Sequence, residues 1–371
     1  MKTKFLIALL LPFLVYGCNR ISNVETNTYS VNLSECRQTL PVSAIFDSVF
    51  IIPLESENVP LIGQTATSQP FGDFIYILDK KKESIFVFSN SGKFVREINK
   101  KGKGPGEYAD IIFFEINPYE ESIDILSKTG ALYRYTLEGT FIEYYPSPGN
   151  LRAASYFTNL NKDTLVFYTS SEPNRLTFFS KSTKNVISQT LNLPVHNLGS
   201  SISPFYTYKD NLYLFELFES QRYRITNAGL EDHFCINLGE DPFTTKDIHD
   251  YGTKRLHNES LQGELDKPFF WTNIENDNYI ITTYRKKSNN CTVIINKQTN
   301  KITNFKLFDN GCNFPFGATF YRDYLFYVVP SHYIPMFINE ELKSEFGITD
   351  SNQRNEYGNP VIILYKLKQN I

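Results

Sequence analysis

Short strand-like segments recur along this chain at a fixed spacing, and that recurrence restricts the fold more than any other feature. Phe74-Ile-Tyr-Ile-Leu-Asp79, Ser84-Ile-Phe-Val-Phe-Ser89 and Gly92-Lys-Phe-Val-Arg-Glu-Ile98 lead into the loop Gly102-Lys-Gly-Pro-Gly-Glu-Tyr108. A weaker copy follows roughly 47 residues later, a spacing that marks repeat architectures. It reads Ser122-Ile-Asp-Ile-Leu-Ser127, Ala131-Leu-Tyr-Arg-Tyr-Thr136 and Gly139-Thr-Phe-Ile-Glu-Tyr-Tyr145. One such unit is a small antiparallel sheet that cannot bury both faces alone, so it must stack on copies of itself. Aromatic residues make up 15% of the chain, with 24 Tyr and 31 Phe, and ring-bearing side chains favour strands over helices. The fold class is all-β.

Turn residues divide each repeat into four strands. Blade one takes Leu61 to Thr67, Phe74 to Leu78, Ile85 to Phe88 and Lys93 to Ile98, and four further blades follow as far as Phe308. Gly317 to Tyr321, Tyr324 to Val329 and Pro360 to Leu367 make a sixth blade that lacks its outer strand, while Ser48 to Leu54 is left over at the other end. If that strand completes the last blade, the ring closes with no long exposed sheet edge. The expected architecture over 45–371 is a six-bladed β-propeller of four-stranded antiparallel blades, present as a monomer. Two insertions interrupt it, 240–267 between blades four and five and 330–359 within blade six. Strand direction alternates within a blade, so both insertions leave from one face, as does the 102–108 loop. Both carry helical pattern: Ile248, Tyr251 and Leu256 after a capping Thr245, then Phe337, Leu342 and Phe346 before Gly347.

An address label precedes the repeats. Met1-Lys-Thr-Lys4 is basic, Phe5 to Tyr16 is apolar apart from Pro12, and Val15-Tyr-Gly-Cys18 puts a small residue before a cysteine. The apolar run is too short to span a bilayer as a permanent helix. The pattern resembles a bacterial lipoprotein signal peptide at 1–17, with Cys18 lipidated and 18–44 a polar tether. The expected address is the cell envelope, at the outer membrane, facing the periplasm or the outside. The formal net charge of −3 argues against nucleic acid, which needs a clustered basic face. Lys80-Lys-Lys82 reads as a solvated turn. Cys36, Cys235, Cys291 and Cys312 are too scattered for a metal knuckle; Cys291 with Cys312 is the first pair to test for a disulfide.

Gly102 to Tyr108, preceded by the Ile-Tyr-Ile-Leu-Asp and Gly-Lys-Phe units, resembles NHL-type repeats. From about Ile45 to Leu367 the chain is similar to the NHL/TolB-like six-bladed propeller lipoproteins of Gram-negative bacteria. That resemblance rests on Pro53-Leu-Glu55, Leu61-Ile-Gly63, the Gly-Pro-Gly-Glu-Tyr loop and Asn359-Pro-Val361, in this order. It implies a fold and an envelope location, and no particular activity.

Chemical motifs are sparse. The 102–108 loop lacks the Gly-Lys-Ser/Thr order of a phosphate loop and reads as a tight turn between blades. His196, His233, His249, His257 and His332 never take a zinc-helix spacing, and no Gly-x-Ser-x-Gly turn appears. His249 and His257 share one insertion and could approach a ligand, or line a solvated helix face. The candidate site is the channel mouth on the insertion face, where the parse gathers Glu107, Tyr108, Arg152, Trp271, Arg285 and His332, with Arg255 reaching from the first insertion. Trp271, the only tryptophan, could equally pack between blades. Rings and arginines at a channel mouth suit sugars and peptides. The expected function is binding of an envelope glycan, peptide or protein, with no cofactor or metal and the two insertions as a lid or a plug. The alternative is a calcium-dependent hydrolase or lactonase-like enzyme, for which no ring of Asp, Glu and Asn is evident.

Overall fold

A computed structural model describes residues 27–147, 151, 154–193, 202–239, 241–244, 247, 267–287, 289–348 and 358–371. The amino-terminal arm supplies β1 (Asn27–Ser30), β2 (Arg37–Leu40) and β3 (Phe46–Pro53). Blade one is β4 (Thr65–Phe71), β5 (Phe74–Asp79), β6 (Ser84–Ser89) and β7 (Phe94–Ile98). Blade two is β8 (Phe113–Asn117), β9 (Ser122–Leu126), β10 (Leu132–Thr136) and β11 (Phe141–Tyr145). Blade three is β12 (Tyr156–Asn159), β13 (Thr164–Tyr168), β14 (Asn174–Ser180) and β15 (Asn185–Asn192). Blade four is β16 (Phe205–Tyr208), β17 (Asn211–Phe215), β18 (Gln221–Thr226) and β19 (Gly229–Asn237). Blade five is β20 (Phe269–Glu275), β21 (Tyr279–Lys286), β22 (Asn289–Asn296) and β23 (Ile302–Phe308). Blade six is β24 (Thr319–Tyr321), β25 (Tyr324–Val329) and β26 (Val361–Leu367), with β3 as its outer strand. This is a six-bladed β-propeller closed by the amino-terminal strand.

Middle strands sit between two neighbouring blades, which is why they read as near-continuous apolar runs. Every residue of β9 and β13 is buried, whereas Asn185 to Gln189 of the outer strand β15 are exposed. The core accordingly lies in the seams. Phe46 packs among Phe308, Phe314 and Tyr365 between blades five and six, and Tyr76, Tyr108 and Tyr135 fill the seam of blades one and two. Among the described residues no helix is long and apolar enough to cross a membrane.

Three expectations change. The inner strand of blade one runs from Thr65 to Phe71, displaced from Leu61–Thr67. Gly63 and Gln64 are instead held off by the Asp79 carboxylate, which accepts their N–H groups at 2.7 and 3.2 Å. The arm, expected as a tether to residue 44, is docked from Asn27 onward. β1 pairs in parallel with β19 and β2 in parallel with β23, so blades four and five each gain a fifth strand. These additions are held by backbone bonds and their side chains are mostly exposed, so they carry no alternating pattern. Cys291 and Cys312 lie in different core clusters, because β22 and the turn after β23 send them into different seams. The sulfur beside Cys291 is that of Cys36, at 3.5 Å.

The second insertion is helical, as its pattern implies, but in two pieces: a 3-10 helix over Ser331–Met336, then an α-helix over Glu340–Glu345. The Asn339 side chain caps the latter by accepting from Leu342 N–H at 2.9 Å. Ile334, Phe337, Ile338 and Leu342 join the core of blades five and six, and Glu345 accepts from Ser43 N–H of the arm. This stretch therefore covers the seam out towards the rim. Most of the first insertion, including Thr245, His249, Arg255 and His257, lies outside the described residues, as do the signal segment with Cys18 and also Arg152 and His196.

Candidate functional site

The insertion face is set by strand direction: the antiparallel registers send the β19–β20 and β25–β26 connections to the same end of the blades. On that face Trp271 occupies a bulge. Phe270 faces Tyr284 and Thr272 faces Thr283, so Trp271 has no cross-strand partner on β21. A bulge re-aims the side chain it carries. Here the indole stands half-buried on the innermost strand of blade five, edge-on to Phe269 with centroids 6.0 Å apart. Phe269 continues into a cluster with Phe218 and Phe243, the latter at the base of the first insertion. Lys267 anchors that base by ion pairs to Asp241 and Asp247 at 2.8 and 2.9 Å.

The other expected site residues divide. Arg285 is exposed at the end of β21, its Nε donating to Lys287 O at 3.2 Å, and His332 is exposed against the Tyr333 ring. Glu107 turns back on its own loop and accepts from Gly104 N–H at 2.8 Å. Gly106 of the same loop takes a φ of +74°, and a Cβ there would stand 2.6 Å from the Phe141 ring, so that glycine is required by its backbone conformation and by close approach. Tyr108 is fully buried; its hydroxyl donates to Glu83 O at 2.9 Å and accepts from Lys100 N–H at 3.1 Å. Burial pushes this phenol up to about 12. Tyr108 is thus a core residue of the first seam and cannot meet a ligand at the mouth. The strand parse put it there because it follows the loop, but the seam needs a ring at that point.

Sequence reasoning missed the polar seams. Inner strands carry polar residues at their centres, and these turn to the next blade. Gln69 accepts from Ile116 N–H at 2.8 Å, and Glu115 accepts from the Thr158 hydroxyl at 2.7 Å. Beneath Glu115, Arg134 makes a bidentate pair with Asp124 at 2.8 and 3.2 Å and reaches Glu120, which also holds Lys181. Between blades four and five, Glu275 takes Lys297 at 2.6 Å and His233 at 2.8 Å. Burial opposes the Lys297 ammonium, but Glu275 and the Tyr208 ring beside it prevail and lift its pKa. Higher in that seam the buried Arg222 lies over Phe270 at 4.2 Å and donates to Asn273 Oδ1 at 3.2 Å. Burial lowers Arg222 to about 10, so it stays charged at neutral pH. The signal for such residues is an acid or amide at the centre of an otherwise apolar strand, as Glu115 is in Phe-Phe-Glu-Ile-Asn. Each acid finds a cation or a hydroxyl, which is the chemistry of blade locking. Among the described residues no three His, Cys, Asp or Glu gather in a metal-holding arrangement.

Glu115 gives this seam a pH dependence. The residue keeps some surface at the inner edge of the sheet, but its carboxyl is walled in, and crowding there decides its hydration. Burial pushes it up to about 8, with the Thr158 hydroxyl and Asn159 N–H opposing. The folded protein therefore holds this proton more tightly than the unfolded chain. Its stabilisation is complete below the unfolded pKa of about 4.3 and is lost as pH rises through about 8. Glu115→Gln should match the parent at pH 5 and exceed it by about 1–3 kcal/mol at pH 9, measured by denaturant unfolding. Parallel pH profiles for the two proteins would show that this carboxyl is ionised throughout.

A family model described as a domain of unknown function (DUF4934) matches residues 27–366. A search of curated proteins finds no match. Among solved structures, the chain is similar to a candidate exported protein of Bacteroides fragilis NCTC 9343, with TM-score 0.72 and 16% identity over 92% of this chain and 100% of that one. It is also similar to a member of the DUF4221 family from Bacteroides vulgatus, with TM-score 0.55 and 11% identity over 87% and 97% of the two chains. At these identities the likeness is one of fold.

Proposed function

The chain belongs to the DUF4934 family, and on that premise we propose that it is an exported binding propeller, anchored by a lipid on Cys18 in the bacterial envelope. In this reading it recognises a glycan, peptide or protein at the channel mouth on the insertion face. One observation carries it: the bulge at Trp271, which frees the only indole from the ladder on the strand nearest the channel. An aromatic ring presented this way offers a flat apolar face to a sugar or peptide. Arg285 and His332 are exposed polar groups of the same face, with Arg152 and Arg255 assigned to it by sequence. The expected export of the Bacteroides fragilis neighbour supports the address.

The test uses a Cys18→Ala protein, which should leave the membrane fraction without loss of folding. Its single indole reports ligand contact without labelling, so envelope glycans and peptides are screened by Trp271 fluorescence. The expected result is a saturable change with at least one of them. Trp271→Phe should then fold normally and bind about 1 kcal/mol or more weakly. Binding that leaves the indole signal and the Trp271→Phe affinity unchanged would move the site elsewhere.

A further inference from the structure

Cys36 follows the 3-10 turn Leu33–Glu35, where the arm has left blade four and is about to pair with blade five. Its Sγ lies 3.5 Å from Sγ of Cys291 on β22, across 255 residues of sequence. Cys291 is buried, and Cys36 packs half-buried against the same cluster with Val31, Phe270 and Tyr284. Asn304 Nδ2 reaches Asn32 O at 3.5 Å beside them, so the arm is held on both sides of the pair. Among the described residues no other two sulfurs approach each other.

We propose that Cys36 and Cys291 form a disulfide that clasps the amino-terminal arm to blade five. A bonded pair needs its sulfurs at about 2.05 Å, and of the two the half-buried Cys36 is the side chain with room to turn. The hydrogen bond shared with Cys291 draws the Cys36 thiol down to about 7, with burial opposing, while Cys291 itself is pushed up. Cys36 is therefore the thiolate that reacts first. It attacks a disulfide of an oxidising thiol–disulfide exchange protein, forming a mixed disulfide and releasing one thiolate of the oxidant. Cys291 then gives up its proton and attacks the Cys36 sulfur, and the oxidant leaves as a dithiol. Two protons and two electrons pass from the pair to the oxidant, and one S–S bond is exchanged for another. Because the closed loop is so long, the clasp removes much of the freedom of the unfolded chain.

The full chain, oxidised with glutathione disulfide and alkylated while folded, is digested without reduction and mapped by mass spectrometry. A peptide pair joining Cys36 to Cys291 is expected. Reduction should lower the melting temperature by roughly 5 °C or more, and the reductant effect should vanish in Cys36→Ser. Alkylation of both thiols after oxidation would overturn the proposal, as would recovery of Cys291 bonded to Cys312. The peptide map is made on the unaltered protein, so a poorly folding variant does not affect it.

Discussion

Removing residues 46–53 should abolish cooperative unfolding and drive the protein into aggregates. β3 is the outer strand of blade six, and its ladder with β26 runs from Val361 opposite Pro53 to Leu367 opposite Phe46. Without it, β26 presents an unpaired apolar edge of the kind that recruits other chains. Phe46 and Val49 are fully buried, and Ile51 and Ile52 are half-buried against the same seams. Their burial contributes roughly 5–9 kcal/mol, comparable to the entire stability of an ordinary domain. Size-exclusion chromatography and a denaturant melt decide it. A monomeric truncation with an unchanged midpoint would mean the ring does not depend on this strand.

Asn359→Ala should cost about 2–4 kcal/mol, an unusually large effect for one amide, by removing three hydrogen bonds made from a buried side chain at about 0.5–1.5 kcal/mol each. Asn359 is buried where the second insertion re-enters blade six. Its Nδ2 donates to Glu55 O at 2.6 Å and to Pro60 O at 3.3 Å, and its Oδ1 accepts from Ile62 N–H at 2.7 Å. Its own N–H reaches the Ser56 hydroxyl at 2.9 Å. Glu55 continues the stitching into blade one, accepting from Phe94 N–H at 2.9 Å, while its N–H donates to Gly92 O at 2.8 Å. One side chain thus joins both ends of the chain to the first blade. Asn359→Asp should be at least as damaging, because a carboxylate would face two carbonyl oxygens. A midpoint shift below about 0.5 kcal/mol, within the range of ordinary surface changes, would show that water replaces these bonds.

Those contacts explain what the sequence made legible and what it hid. Pro53-Leu-Glu55, Leu61-Ile-Gly63 and Asn359-Pro-Val361 were visible as motifs because ring closure and the step into blade one demand specific side chains there. The 102–108 loop was visible for the same reason, since Gly106 takes a positive φ against the Phe141 ring. These motifs are joints. A blade strand such as β25, Tyr324–Val329, was readable to the residue because turn residues bracket a buried run. The docked arm was not, since strands held at a sheet edge by backbone bonds leave no alternation to read. Trp271, Arg285 and His332 lie on the face that the strand order implies, while the bulge that takes Trp271 out of the ladder is a property of register. Tyr108 was misplaced because burial in a seam and exposure at a mouth begin one residue apart.

The order in which this propeller can be sealed follows from the arm. Asn27 waits for Phe234, Arg37 for Phe305 and Val49 for Tyr365. Blades one to three can form from contiguous chain as it appears, whereas blades four, five and six are each finished by a segment made long before them. The final pairing cannot occur until Leu367 has been added. A product cut short near its carboxyl terminus therefore leaves an orphan strand at its amino terminus. Completeness is inspected at the end opposite the damage, and any protease or holdase that grips an exposed early strand can distinguish finished molecules from truncated ones.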